Sequence, residues 1–141
     1  MKTYECRRFL STACAFLAMA SWADAGQSCE QFAALESYTS AEIAPRGATC
    51  GTFLSQSAKT GVSCYWAFPY RDGSAERMAD SLWALLQNCR PGTQLAPDWP
   101  VNHPDSFQLR EWSAEGAIYR VSLKDKAGQQ RTLVFLAFEK S

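Results

Sequence analysis

Alternation dominates the middle of the chain. Val62, Cys64, Trp66, Phe68 and Tyr70 occupy every second position, which puts them on one face of a strand and predicts that face to be buried. The period then changes. Ala75, Met78, Ala79, Leu82, Leu85, Leu86 and Cys89 recur at the spacing of one helical stripe, and Arg90-Pro91-Gly92 supplies the stop. Asp72 or Ser74 is placed to cap this helix, because a side-chain oxygen there can accept from the free first-turn N–H groups. A strand over 61–70 therefore leads directly into a helix over 72–89.

The flanking segments complete the picture. Ser28-Cys29-Glu30-Gln31 has the form of a capping box, and Phe32, Ala33 and Leu35 follow as a short apolar stripe, so a first helix starts there and ends before Pro45-Arg46-Gly47. Residues 49–55 and 61–70 form a hairpin around the polar 56–60. Residues 91–106 contain Pro91, Pro97, Pro100 and Pro104 with little periodicity and are expected to be a long loop. Three further strands are predicted over 106–113, 117–124 and 131–138, with turns at Glu115-Gly116 and Ala127-Gly128. Tyr119, Val121 and Leu123 alternate with Arg120, Ser122 and Lys124, as for a strand with one face in water. Residues 132–138 are apolar on both faces, which suits a central strand. The expected fold is α+β, a five-stranded antiparallel sheet with two helices in the order αββαβββ. Profilin-like and roadblock-like domains share this order, and their last strand lies mid-sheet beside the first; the analogy is one of order and carries no activity.

The N-terminus changes where this domain is expected to work. Lys2, Arg7 and Arg8 precede an uncharged apolar run over 9–22, and Ala23-Asp24-Ala25 is a small-x-small cleavage signal. Residues 1–25 are thus predicted to be a secretory signal peptide cut after Ala25, leaving a single mature domain over 26–141 in the periplasm or outside the cell. The run is shorter than the roughly 20 residues a spanning helix needs, so no membrane span is expected in the mature protein. Lys and Arg number 14, as do Asp and Glu, for a formal net charge of +0. Beyond residues 1–25 the cations are scattered singly, which argues against nucleic acid or an anionic membrane surface as the partner of the mature domain.

Of the six cysteines, Cys6 and Cys14 fall in the signal peptide. Cys29, Cys50, Cys64 and Cys89 remain, and two disulfides are the expected outcome in an oxidising compartment. A metal site is disfavoured, since no C-x-x-C pair occurs and His103 is the sole histidine. A strand from Cys64 to Tyr70 covers about 20 Å and the following helix runs back roughly 25 Å, which returns Cys89 near Cys64. The predicted pairing is Cys64–Cys89 and Cys29–Cys50.

Candidate chemistry is sparse. His103 with Asp105 could act as a base with its orienting carboxylate, but nothing places a nucleophile or substrate beside them, and a polar turn explains the same residues. Asp72, Glu76 and Asp80 lie on the polar side of their helix as a solvated face. Glu111 and Glu115 bracket Trp112, where a sugar-binding aromatic is conceivable and packing is the simpler role. No phosphate loop, nucleophile elbow or H-E-x-x-H motif occurs, and no cofactor is expected. Trp99, with Asp98 and His103 beside it in the proline-rich loop, is the leading binding candidate, the alternative being that Trp99 folds back over the sheet. Tyr70 and Arg71 at the strand-to-helix corner are the second. The expectation is a non-enzymatic exported module that binds another envelope or secreted protein, as an inhibitor, immunity-type antagonist or adaptor. Its rivals are a small-ligand sensor and a small hydrolase using His103 or a carboxylate pair.

Overall fold

The computed structural model describes residues 28–95 and 107–141. The elements run α1 (Glu30–Ala41), β1 (Thr49–Leu54), β2 (Thr60–Pro69), α2 (Gly73–Cys89), β3 (Thr93–Leu95), β4 (Phe107–Ala114), β5 (Ala117–Lys126), a one-turn 3-10 helix (Ala127–Gln129) and β6 (Arg131–Lys140). The mixed α+β architecture is the expected one, with two α-helices, an antiparallel sheet and two disulfides among the described residues. Asp72 caps α2 by accepting from the Ser74 N–H at 3.2 Å. At α1 the cap residue is Cys29 and no side chain closes the turn there; Ser28 Oγ instead accepts from the Glu30 N–H at 3.4 Å.

Among the described residues the sheet has six strands, one more than expected. β3 pairs with β4 from Thr93 opposite Ser113 to Leu95 opposite Glu111. Three residues are too few to show an alternation, and Pro91-Gly92 hides the strand behind a helix-stop signal. Gly92 is required at that approach: a Cβ on it would collide with the Ser113 carbonyl oxygen.

The strand order is β1-β2-β6-β5-β4-β3, with every pairing antiparallel. The last strand does lie inside the sheet, but it neighbours the second strand and not the first, which departs from the profilin-like and roadblock-like arrangement. β2 alternates apolar residues over its whole length and needs a neighbour on each side, whereas β1 is largely exposed and sits at the edge.

Both helices pack on one face of the sheet. Phe32 and Leu35 of α1 and Ala75, Ala79, Leu82 and Leu86 of α2 meet Val62, Cys64 and Trp66 of β2, Val134, Leu136 and Phe138 of β6, and Tyr119, Val121 and Leu123 of β5 in one core. Trp112 joins from β4, donating its indole N–H to the Arg90 carbonyl at 2.7 Å. Packing, not sugar binding, is the role this geometry gives it. Trp83 is half-buried and meets Trp112 edge-on at 5.7 Å.

The disulfides join Cys29 to Cys89 and Cys50 to Cys64, which corrects the predicted Cys64–Cys89 and Cys29–Cys50 pairing. From Cys64 to the end of β2 the chain climbs only about 17 Å at strand rise. The 17 residues of α2 descend farther, about 24 Å at helical rise. Cys89 therefore overshoots Cys64 and reaches the start of α1, where Cys29 stands with its Cα 5.5 Å away. Cys64 instead finds Cys50 directly opposite it in the β1–β2 register.

Candidate functional site

Four of the residues singled out in the sequence, Asp98, Trp99, His103 and Asp105, lie outside the described residues. Tyr70 and Arg71 are described, and the structure gives Arg71 a fixed place. It closes the β2–α2 corner with a left-handed backbone, φ 53°. Its N–H donates to Thr132 Oγ1 at 2.9 Å, the Thr132 hydroxyl donates to Asp125 Oδ1 at 2.6 Å, and Arg71 Nε donates to Asp125 Oδ2 at 3.1 Å. The guanidinium also lies 5.1 Å from the Tyr70 ring centroid. Asp125 is buried and draws these groups together from three elements.

A cleft of about 190 Å³ opens beside this corner, bounded by Arg71, Asp72, Glu76, Gln108 and Asp125. A second, of about 250 Å³, adjoins it through Glu76 and Gln108 and ends at Asp80 and Arg110. Together they line the side of α2 against the start of β4. Arg110 closes the far end by donating to Asp80 at 2.7 Å, with its guanidinium 5.9 Å from the Trp83 ring centroid. Hydrogen bonds from the Ser74 hydroxyl and N–H hold the Asp72 carboxyl below its ordinary pKa. The carboxylates named here as bonded, Asp72, Asp80 and Asp125, already act as acceptors. Volumes below about 300 Å³ are also smaller than drug-sized ligands use.

The second face of the sheet differs. Among the described residues no helix covers it. The register lines up Tyr65, Phe135, Ser122 and Leu109 across β2, β6, β5 and β4, with Ser63, Ala137, Arg120 and Glu111 in the next row. Tyr65 and Phe135 are half-buried and their rings sit 5.8 Å apart. Beside them Arg120 donates to Glu111 at 2.6 Å and to Glu139 at 3.0 Å, while the Ser57 hydroxyl donates to Glu139 at 3.3 Å. Burial works against the Arg120 charge, yet the bonds to Glu111 and Glu139 outweigh it and raise its pKa. Arg120 in turn lowers the pKa of Glu139. The expectation of a simply solvated face on β5 needs correction, since Ser122 is 8% exposed and Arg120 and Lys124 are only half-exposed.

Comparison with protein-family models, curated proteins and solved structures returns no match to this chain.

A third polar cluster, invisible in the sequence, ties the helices together. Arg90 holds Glu36 through two bonds of 2.7 and 2.9 Å, and the Tyr119 hydroxyl donates to the same carboxylate at 2.6 Å. Burial, then the neighbouring Glu36, pushes the Tyr119 pKa up. The bond to Glu36 likewise raises that of Arg90. This cluster lies next to the Cys29–Cys89 disulfide and joins α1, the end of α2 and β5. Glu36, Arg90 and Tyr119 are 54 and 83 residues from one another along the bonded pairs, so no local spacing announces them. Among the described residues no group of three or more His, Cys, Asp or Glu could hold a metal ion.

Proposed function

We propose that the chain is an exported, non-enzymatic module that binds another envelope or secreted protein through the helix-free face of its sheet. The observation that carries this reading is the contrast in how the two faces are used. Helices and disulfides fix the first face as core. The second offers the Tyr65–Phe135 ring pair beside the Arg120–Glu111–Glu139 network. Aromatic and arginine side chains set in a rigid surface are what protein interfaces favour at their energetic centres. Two disulfides are compatible with a place outside the cytoplasm. So is the finding that no described helix is long and apolar enough to cross a membrane. The clefts along α2 supply less support for a small-ligand role, being small and edged by side chains already bonded to one another.

Affinity capture from envelope and secreted fractions tests the reading, using the oxidised chain, a Tyr65→Lys variant and an Arg71→Ala variant. The expected result is a stoichiometric protein partner that Tyr65→Lys loses and Arg71→Ala keeps. A small molecule that stays bound in native mass spectrometry, with no protein partner in any form, would overturn it in favour of ligand sensing.

A further inference from the structure

The two edges of the sheet are treated differently. β3 is three residues long, and short edge strands are one way in which proteins avoid pairing with other chains. β1 has six residues, Thr49 to Leu54, without a charge, a proline or a bulge in its pairing with β2. Among the described residues no further strand pairs with its outer side.

The register shows what that edge offers. Cys50 and Cys64 stand opposite each other with Cα atoms 4.0 Å apart, the close spacing of a pair that exchanges no backbone hydrogen bonds. Residues 50, 52 and 54 therefore turn their N–H and C=O groups outward. Two contacts agree with this phase. The Tyr38 hydroxyl donates to the Cys50 carbonyl at 3.2 Å, an acceptor that the β1–β2 ladder leaves unused. On the alternate phase, the Ser55 N–H donates to the Lys59 carbonyl at 2.8 Å and continues the ladder into the turn. Among the described residues nothing bonds to the outward groups of Thr52 and Leu54, and Leu54 is 72% exposed. Gly51 carries no side chain, and a Cβ there would meet nothing within 4 Å. The Cys50–Cys64 bond clamps the strand in place, which lowers the ordering cost of pairing with it.

The ends of the edge say what fits. Arg46 lies just before β1 and Lys59 just after its turn; both are exposed, and neither forms an ion pair among the described residues. The Arg46 position is fixed, because its carbonyl accepts from the Trp66 indole at 3.0 Å. A second copy pairing antiparallel about Thr52 would set the Arg46 end of each chain against the Lys59 end of the other, and like charges facing each other oppose that. Building on the protein-binding reading, we propose that the outer edge of β1 accepts an extended segment of the partner as a seventh strand, uncharged over its paired residues and acidic at both ends. Main-chain bonds then give affinity and the flanking charges give register.

Peptide binding to the oxidised chain tests this. The probe is a five-residue alternation of threonine and valine with two glutamates at each end. Its controls are a lysine-flanked version and one N-methylated at the central residue. Amide hydrogen exchange is read at Thr52 and Leu54. The glutamate-flanked peptide is expected to slow both amides and to bind about tenfold more tightly than the lysine-flanked one at low salt. The N-methylated peptide and a Thr52→Pro variant are expected to lose binding, since each removes an edge N–H without touching the β1–β2 ladder, while Thr52→Val keeps it. Equal binding of both flanked peptides, or unchanged exchange, would overturn the proposal. So would protection without peptide that rises with protein concentration, which would assign the edge to a second copy. Captured partner retained by Thr52→Pro would sink the edge proposal while leaving the protein-binding reading standing.

Discussion

The two faces of the sheet are built from the same strands and do opposite work. On the helix side, Val62, Cys64, Val134, Leu136, Tyr119 and Val121 are almost fully buried. On the other side the aromatic Tyr65 and Phe135 stand half-exposed beside the Arg120–Glu111–Glu139 ion-pair network, in which Glu139 is buried and Arg120 and Glu111 are half-buried. A strand that alternates for one face leaves its second face open to a different selection, and here that face is neither simply polar nor sealed.

Both disulfides belong to the helix side, and their removal is expected to have the largest effect. In the chain-entropy model the Cys29–Cys89 bridge, spanning 60 residues, stabilises by about 4 kcal/mol, and the Cys50–Cys64 bridge, spanning 14, by about 3 kcal/mol. Urea unfolding of the two double-alanine variants is expected to show that order; the reverse would mean that α1 is held mainly by packing. Leu82→Ala removes a fully buried side chain and is expected to cost about 3 kcal/mol. Leu109→Ala on the second face, where the side chain is half-exposed, is expected to cost less than about 1 kcal/mol. Similar losses from both would erase the distinction between the faces.

The Glu36 cluster falls between those two leucines in expected size. Glu36→Ala leaves Arg90 and the Tyr119 hydroxyl without their shared acceptor. The two charged side chains retain 16% and 27% exposure, so the expected cost is about 2 kcal/mol, below that of a fully buried pair. A double-mutant cycle with Arg90→Ala measures the coupling.

The faces should also part company with pH. Tyr119, on the helix side, has its pKa raised in the folded protein. Its stabilising contribution is fully present below about pH 10, the unfolded value, and is lost as pH rises above it. Absorbance at 295 nm is expected to show one tyrosine that titrates late and together with unfolding. Glu139, on the second face, has its pKa lowered by Arg120. Its contribution is present above about pH 4 and falls away as the solution is acidified through the folded value. An Arg120→Met variant, in which that dependence is expected to shrink, is the smallest of these tests.

The sequence reveals most of this architecture and little of its surface. Periods of two and 3.6 depend on neighbours a few residues apart, so β2, α2 and β6 are legible from Val62, Leu82 and Val134 outward. β3 is too short to carry a period. The disulfide pairing turns on how far α2 overshoots β2, a difference of a few residues in element length that spacing alone does not resolve. Arg120, Glu111 and Glu139 meet only once the register is known, and a bracket such as Glu111-Trp112 suggests local chemistry where the actual partner comes from β5. The corner candidate Arg71 does hold a defined geometry, but its partners Thr132 and Asp125 come from strands more than 50 residues away.

Side-chain footprinting tests the central claim most directly, with the oxidised chain labelled once in the fraction where it resides and once after purification. Tyr65 and Phe135 are expected to be labelled in the pure protein and protected in the fraction, while Trp83, beside the clefts along α2, is labelled equally in both. Protection centred on Trp83 and Arg71, or no difference between the two samples, would contradict a partner seated on the helix-free face.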